Sequence, residues 1–151
     1  MYPSDVAAVM LTGRFEDAGE LTPDQLRADY EAAIADAIDG VDTGTAAERA
    51  GVDAATVEAV LDGEAHDVEL TDAAELLALG GEYPDADTVV AEARDVLLLG
   101  MTTAVMDVDA LSSAIGGEIA PKLIQQKVEG RHPITLAEYA TLHHAIEAHK
   151  R

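Results

Sequence analysis

The chain has 151 residues, enough for one domain or two small ones, and thirty Asp and Glu against nine Lys and Arg give it a formal net charge of −21. Hydrophobic residues make up 48% and aromatics 3%, with no Trp and one Phe, so a core is available but must be built from Ala, Val, Leu and Ile, which suits closely packed helices and argues against a wholly disordered acidic chain. Cysteine is absent, which excludes disulfides, thiolate metal sites and cysteine nucleophiles.

Residues 1–20 show no sustained period and are expected to be a poorly ordered lead-in. The first helix opens at Thr22-Pro23-Asp24-Gln25, where Thr22 caps, Pro23 suits the first helical position and Gln25 completes a capping box. Leu26, Tyr30, Ile34, Ala37 and Ile38 recur at helical spacing, and Gly40 ends the run. Thr45 to Ala50 forms a short helix, Gly51-Val52-Asp53 turns the chain, and Asp53 is expected to cap a helix ending near Gly63. After a connector at 66–70, Thr71 or Asp72 caps a helix through Leu79. Gly80-Gly81 and Tyr83-Pro84 then stop it and begin a linker, placed at 82–86.

Asp87 is expected to cap the next helix, with a seam of Val89, Val90, Ala93, Val96 and Leu97. Gly100 interrupts that helix, and Met101 to Met106 is either a helical continuation or a buried loop. Asp107 caps Val108 to Ile115, Gly116-Gly117 turns, and Pro121 opens a helix to Val128. Thr135-x-x-Glu138 is a capping box for a last helix to about His149. No segment alternates with period two, so strands are not expected. Residues 22–79 and 87–149 each read long helix, short helix, turn, helix, Gly, connector, helix, which is the order of an internal duplication.

The stretch from Ala46 to Gly63 places a small residue at Ala47, a turn glycine at Gly51, an apolar plug at Val52, a polar N-cap at Asp53, an apolar mid-helix Val57 and a closing glycine at Gly63. Small Ala47 lets two helices cross closely, and Val52 and Val57 fill the shared core. In the second copy Ile119, Ile124, Val128 and Gly130 answer Val52, Val57, Leu61 and Gly63, and Val128-Glu129-Gly130 precedes the capped last helix. This pattern resembles the helix-turn-helix of the lambda-repressor-like (XRE-type) family. One extra residue at the turn (Gly116-Gly117-Glu118) and Pro121 near the start of the second helix depart from it. The resemblance implies an all-α fold of two helix-turn-helix units of about four helices each, at 21–81 and 87–151. The acid-covered surface also resembles that of haloarchaeal proteins, whose molar salt screens self-repulsion to a Debye length of about 3 Å.

Charge is not spread evenly along the chain. Residues 1–120 carry −23 and residues 121–151 carry +2, with four of the five His in the latter stretch. In the first copy the would-be reading face holds Asp53, Ala54, Ala55 and Glu58, with Asp62 and Glu64 close behind, which repels phosphate; that copy is read as structural or dimerising. In the second copy Gln can bond adenine bidentately, Lys can reach guanine or phosphate, and a helix N-terminus can hold a phosphate oxygen. By the resemblance, Lys122 and Gln125 are base readers, Gln126 is an alternative reader, and Lys127, Arg131 and His132 contact the DNA backbone.

Other chemistry is thin. His143, four before Glu147, fits the border of the apolar seam better than a metal site shared with Glu147 and His144 or His132, and Asp85-x-Asp87 and Asp107-x-Asp109 read as helix caps rather than calcium loops. There is no phosphate-binding Gly-rich loop or nucleophile elbow, so neither an enzyme, a metal nor a cofactor is expected. No apolar run approaches the ~18 residues of a membrane span, and no signal peptide is evident, so a cytoplasmic protein is expected. The sequence therefore reads as a DNA-binding transcriptional regulator of a halophilic archaeon, working as a homodimer and reading DNA with its second unit. The alternative is a protein–protein interaction or dimerisation module that has lost DNA binding. An exposed patch at Leu97, Leu98, Leu99 and Met101 would favour the alternative, and an outward patch centred on Lys122 and Arg131 would favour DNA.

Overall fold

The computed structural model describes residues 21–81 and 85–150, so the expected lead-in at 1–20 lies outside the described residues. These residues are all-helical. The helices are α1 Pro23–Ala37, α2 Thr43–Ala50, α3 Ala54–Leu61, α4 Leu70–Ala78, α5 Ala86–Ala104, α6 Val108–Ala114, α7 Pro121–Val128 and α8 Leu136–His149, with one 3₁₀ turn at Ala65–Asp67 between α3 and α4. The capping boxes form as the sequence predicts: Thr22 with Gln25 opens α1, and Thr135 with Glu138 opens α8. Asp42, Asp85 and Asp107 each accept an N–H from the residue three positions on, opening α2, α5 and α6. Asp53 stands at the N-cap of α3 but makes no side-chain capping bond.

Helix α2 starts at Thr43, capped by Asp42, rather than at Thr45, and three further differences from the sequence reading have identifiable causes. Helix α4 starts at Leu70 rather than after Thr71 or Asp72, because Leu70 N–H donates to the Ile134 carbonyl (2.8 Å), a partner from the far end of the chain. Helix α5 is capped by Asp85 rather than Asp87 and begins inside the stretch assigned to the linker. Gly100 does not interrupt α5. A β-carbon there would sit 2.8 Å from the Ile146 side chain, so the glycine permits the close approach of α5 to α8, and the helix continues to Ala104.

The two segments pack by one pattern. The buried seam of α1 is Leu26, Tyr30, Ile34 and Ile38, and the buried seam of α5 is Val89, Ala93, Leu97 and Met101, each 63 residues later. The buried Leu70, Ala73, Ala74, Leu76 and Leu77 of α4 stand 66 residues before Leu136, Tyr139, Ala140, Leu142 and His143 of α8. Helix α1 packs on both α4 and α8, and α5 likewise packs on both α8 and α4, so one hydrophobic core runs through both segments. Between α4 and α8, Leu136 N–H donates to the Val68 carbonyl (2.8 Å) while Leu70 N–H donates to that of Ile134, a reciprocal pair around the antiparallel bridge Glu69–Thr135. Burial of these Leu, Ile and Val side chains, each contributing about 2 kcal/mol, dominates the stabilisation of the chain.

Candidate functional site

Helix α7 is built by a turn and an apolar stripe. Gly116 and Gly117 both take positive φ (73° and 77°), and the buried Ser112 hydroxyl donates to the Ile119 carbonyl (2.8 Å), tying α6 to the entry of α7. Ile119, Ile124 and Val128 point into the core, which leaves Lys122, Leu123 and Gln125 exposed and Gln126 half-buried. Lys122 has no ion pair among the described residues.

The other candidate residues are engaged within the protein. Lys127 is only 6% exposed, and its ammonium donates to the Pro133 carbonyl (2.8 Å) and to Glu138 Oε1 (3.0 Å). Burial alone would raise the Glu138 carboxyl, but the Thr135 N–H and the Lys127 ammonium outweigh it and hold the group below its usual range. The expected backbone-contact role of Lys127 therefore meets a side chain already committed to bracing α7 against the start of α8. Arg131 lies on the surface and donates to Glu129 Oε1 (3.0 Å from Nε), while Gln125 Nε2 donates to Glu129 Oε2 (3.3 Å). The Arg131 and Gln125 hydrogen bonds together keep the Glu129 carboxyl below its ordinary range. His132 is exposed, with Nδ1 3.1 Å from the Pro133 carbonyl oxygen.

The structure adds a residue that the motif did not single out. Arg94 of α5 lies against Gly130, whose φ is +81° and on which a β-carbon would overlap the guanidinium. Arg94, Lys127, Arg131 and His132 all border one cavity of about 210 Å³. The gathering of these side chains depends on the packing of α5 beside the α7–α8 loop. The sequence offered one signal, since Arg94 stands 63 positions after an acid, Glu31, at matching places in two helices of like seam.

Elsewhere the chemistry is different in kind. On α3 and just beyond it, Asp53, Glu58, Asp62 and Glu64 are exposed beside Ala54 and Ala55, an acidic face without a base. In the core, the Tyr30 hydroxyl lies 2.7 Å from His143 Nδ1, and Tyr139 O–H donates to the Ala93 carbonyl (2.8 Å). The three rings pack together, with Tyr30 and Tyr139 edge to face at 5.8 Å between centroids. Burial, with the nearby Lys150 and His144 charges, holds His143 down at about 4, and its Nε2 has no hydrogen-bond partner among the described residues. No group of three His, Asp or Glu that could hold a metal ion occurs among the described residues. No single helix among them is long and apolar enough to cross a membrane.

Among known proteins, a family model described as a family of unknown function (DUF5791) matches residues 26–149. No curated protein and no solved structure matches the chain.

Proposed function

The chain thus belongs to DUF5791, a family of unknown function, and we propose from its geometry that it is a non-enzymatic DNA-binding protein that presents α7 to the major groove. In this reading the fold consists of two lambda-repressor-like helix-turn-helix units, α1–α4 and α5–α8, with the first unit structural and the second in contact with nucleic acid. Supporting the two units are the matched seams of α1 with α5 and of α4 with α8. The reciprocal hydrogen bonds at Glu69–Thr135 support them further, since exchanging the segments exchanges the bonds.

The observation that carries the reading is the outward face of α7. Lys122 and Gln125 project from a short helix anchored by Ile124 and Val128, after a glycine turn. Side chains of these types on the first turns of a second motif helix have the reach and donor pattern to contact base edges. Gln126 is half-buried and serves as an auxiliary reader, and Arg131 and His132 lie at the other end, where phosphates would pass. Lys127 is assigned to bracing rather than to the backbone. Exposed Leu98, Leu99 and Val105 at the end of α5 favour a second reading, a protein or self-association surface there. That surface is narrower than the sequence suggested, because Leu97 and Met101 are buried.

Selection from a random duplex library at about 2 M KCl, where the Debye length is below about 3 Å, tests the first reading with the sequence-independent term suppressed. The native chain is expected to enrich a motif, and the double variant Lys122→Ala, Gln125→Ala is expected to lose it with unchanged helical circular dichroism. No enrichment by the folded native chain, or undiminished enrichment by the variant, would overturn the assignment in favour of the interaction module.

A further inference from the structure

We propose that the cavity between α4, α5 and the α7–α8 loop is a binding site for a small organic monocarboxylate, gripped by Arg94. The volume is about 210 Å³, on the order of seven water molecules at their liquid volume. Leu70, Val90 and Ile134 supply apolar wall, while Arg94 and Arg131 supply cationic edge. A ligand with a charged head and a short apolar stem matches that division.

Arg94 is the residue that calls for a partner. The chain carries thirty acids against nine bases, yet no carboxylate of the described residues pairs with this half-buried guanidinium. The other described cations withdrawn from solvent are paired: Arg27 with Asp24 and Glu31, and Lys127 with Glu138. Arg49 and Lys122, which have no ion pair among the described residues, are exposed and solvated.

The first segment shows what such a place holds when it is filled from within. Val90 and Arg94 follow Arg27 and Glu31 by 63 residues, the same offset that relates the buried seams of α1 and α5. Glu31 is buried, lies 3.4 Å from Arg27 Nε, accepts the Ala65 N–H (2.7 Å) and lies beside Gly63, much as Arg94 lies beside Gly130. There, an arginine and a carboxylate form an ion pair inside the protein, although Arg27 Nε makes no hydrogen bond among the described residues. In the second segment the arginine sits where Glu31 does, Val90 sits where Arg27 does, and an open volume replaces the carboxylate. A ligand carboxylate restores the pair, and the planar guanidinium fork suits it bidentately. Glu69 on the border disfavours a second negative charge, which selects a monocarboxylate. The inference stands whether or not α7 reads DNA.

Hexanoate is the first probe, titrated into the full chain at fixed KCl and followed by two-dimensional NMR of backbone amides and arginine Nε–Hε. Hexan-1-ol, hexylammonium and inorganic phosphate serve as comparisons. Hexanoate is expected to shift the Thr71, Gly130 and Ile134 amides and the Arg94 Nε–Hε saturably. Arg94→Gln should weaken it by about tenfold or more, the effect of one charge-assisted contact. Arg94→Lys, which keeps charge without the fork, should be intermediate, and Arg49→Gln should change nothing. If Arg94→Gln does not fold, the weakening in folded Arg94→Lys decides the point. Absence of a saturable shift, equal binding of hexan-1-ol, tighter binding of phosphate or hexylammonium, or undiminished affinity in the Arg94 variants would overturn the proposal.

Discussion

His143 takes the place on α8 that Leu77 occupies on α4, and the exchange turns an apolar contact into a titratable one. Its Nδ1 meets the Tyr30 hydroxyl at 2.7 Å, and either neutral tautomer leaves Nε2 unpartnered at 1% residue exposure. Burial lowers its folded value to about 4 from an ordinary 6.5, so between those limits the unfolded chain binds more protons than the folded one. Stability from the neutral ring is complete above about pH 6.5 and drains as the pH falls toward about 4. Urea midpoints measured across that window should therefore fall steadily for the native chain. The pair Tyr30→Phe, His143→Leu removes both the ring and the hydroxyl that depends on it, and its midpoint should be flatter over the same range. A slope equal to that of the native chain would assign the acid sensitivity to other groups. A second cycle follows from the same geometry. Either single change leaves a buried polar group without its partner, at about 1–3 kcal/mol, so the double variant should be more stable than the sum of the singles predicts.

At the scale of elements, Lys127 couples α7 to α8. Its ammonium reaches both the Pro133 carbonyl before α8 and Glu138 in the first turn, so one side chain fixes the angle at which α7 is presented. Replacing it with Met keeps the buried stem but strands Glu138 and the carbonyl, and the Lys127→Met variant should lose about 2–3 kcal/mol of unfolding free energy. Lys122→Met, on the exposed face, should stay within about 0.5 kcal/mol of native. Equal losses in chemical denaturation would remove the bracing role. The contrast between these two lysines marks the limit of what was legible. Local signals read well: Thr22 with Gln25, Thr135 with Glu138, Asp107 and Pro121 open their helices as the sequence implies, because every partner lies within three residues. Long-range causes did not read. The start of α4 depends on Ile134, the continuity of α5 through Gly100 depends on Ile146, and the burial of Lys127 depends on Glu138 and Pro133. Arg94 belongs to the same class, since Gly130 reaches it only through the packing of α5 beside the α7–α8 loop.

For the molecule as a whole, charge and core act against each other. A formal charge of −21 on 151 residues sets carboxylates against carboxylates across most of the surface, which weakens the compact state at low ionic strength. The core is assembled mainly from Ala, Val, Leu and Ile, with Tyr30 and Tyr139 its largest buried side chains, and the interlocked packing of α1 on α8 and α5 on α4 should make both segments unfold together. Screening should then raise the stability of the entire chain in one transition. Raising KCl from about 0.1 M to about 1 M shortens the Debye length from about 10 Å to about 3 Å, below the spacing of most surface charges. The urea midpoint should climb steeply over that interval and level off beyond it, with circular dichroism and tyrosine fluorescence giving coincident curves. Preferential exclusion of salt from apolar surface behaves differently, continuing to stabilise as concentration rises past the point where screening is exhausted. A midpoint that rises linearly to 3 M KCl would therefore assign the effect to exclusion. A midpoint indifferent to salt would mean that the acidic faces are too far apart to repel, and two separate transitions would show that the shared core does not bind the segments into one cooperative unit.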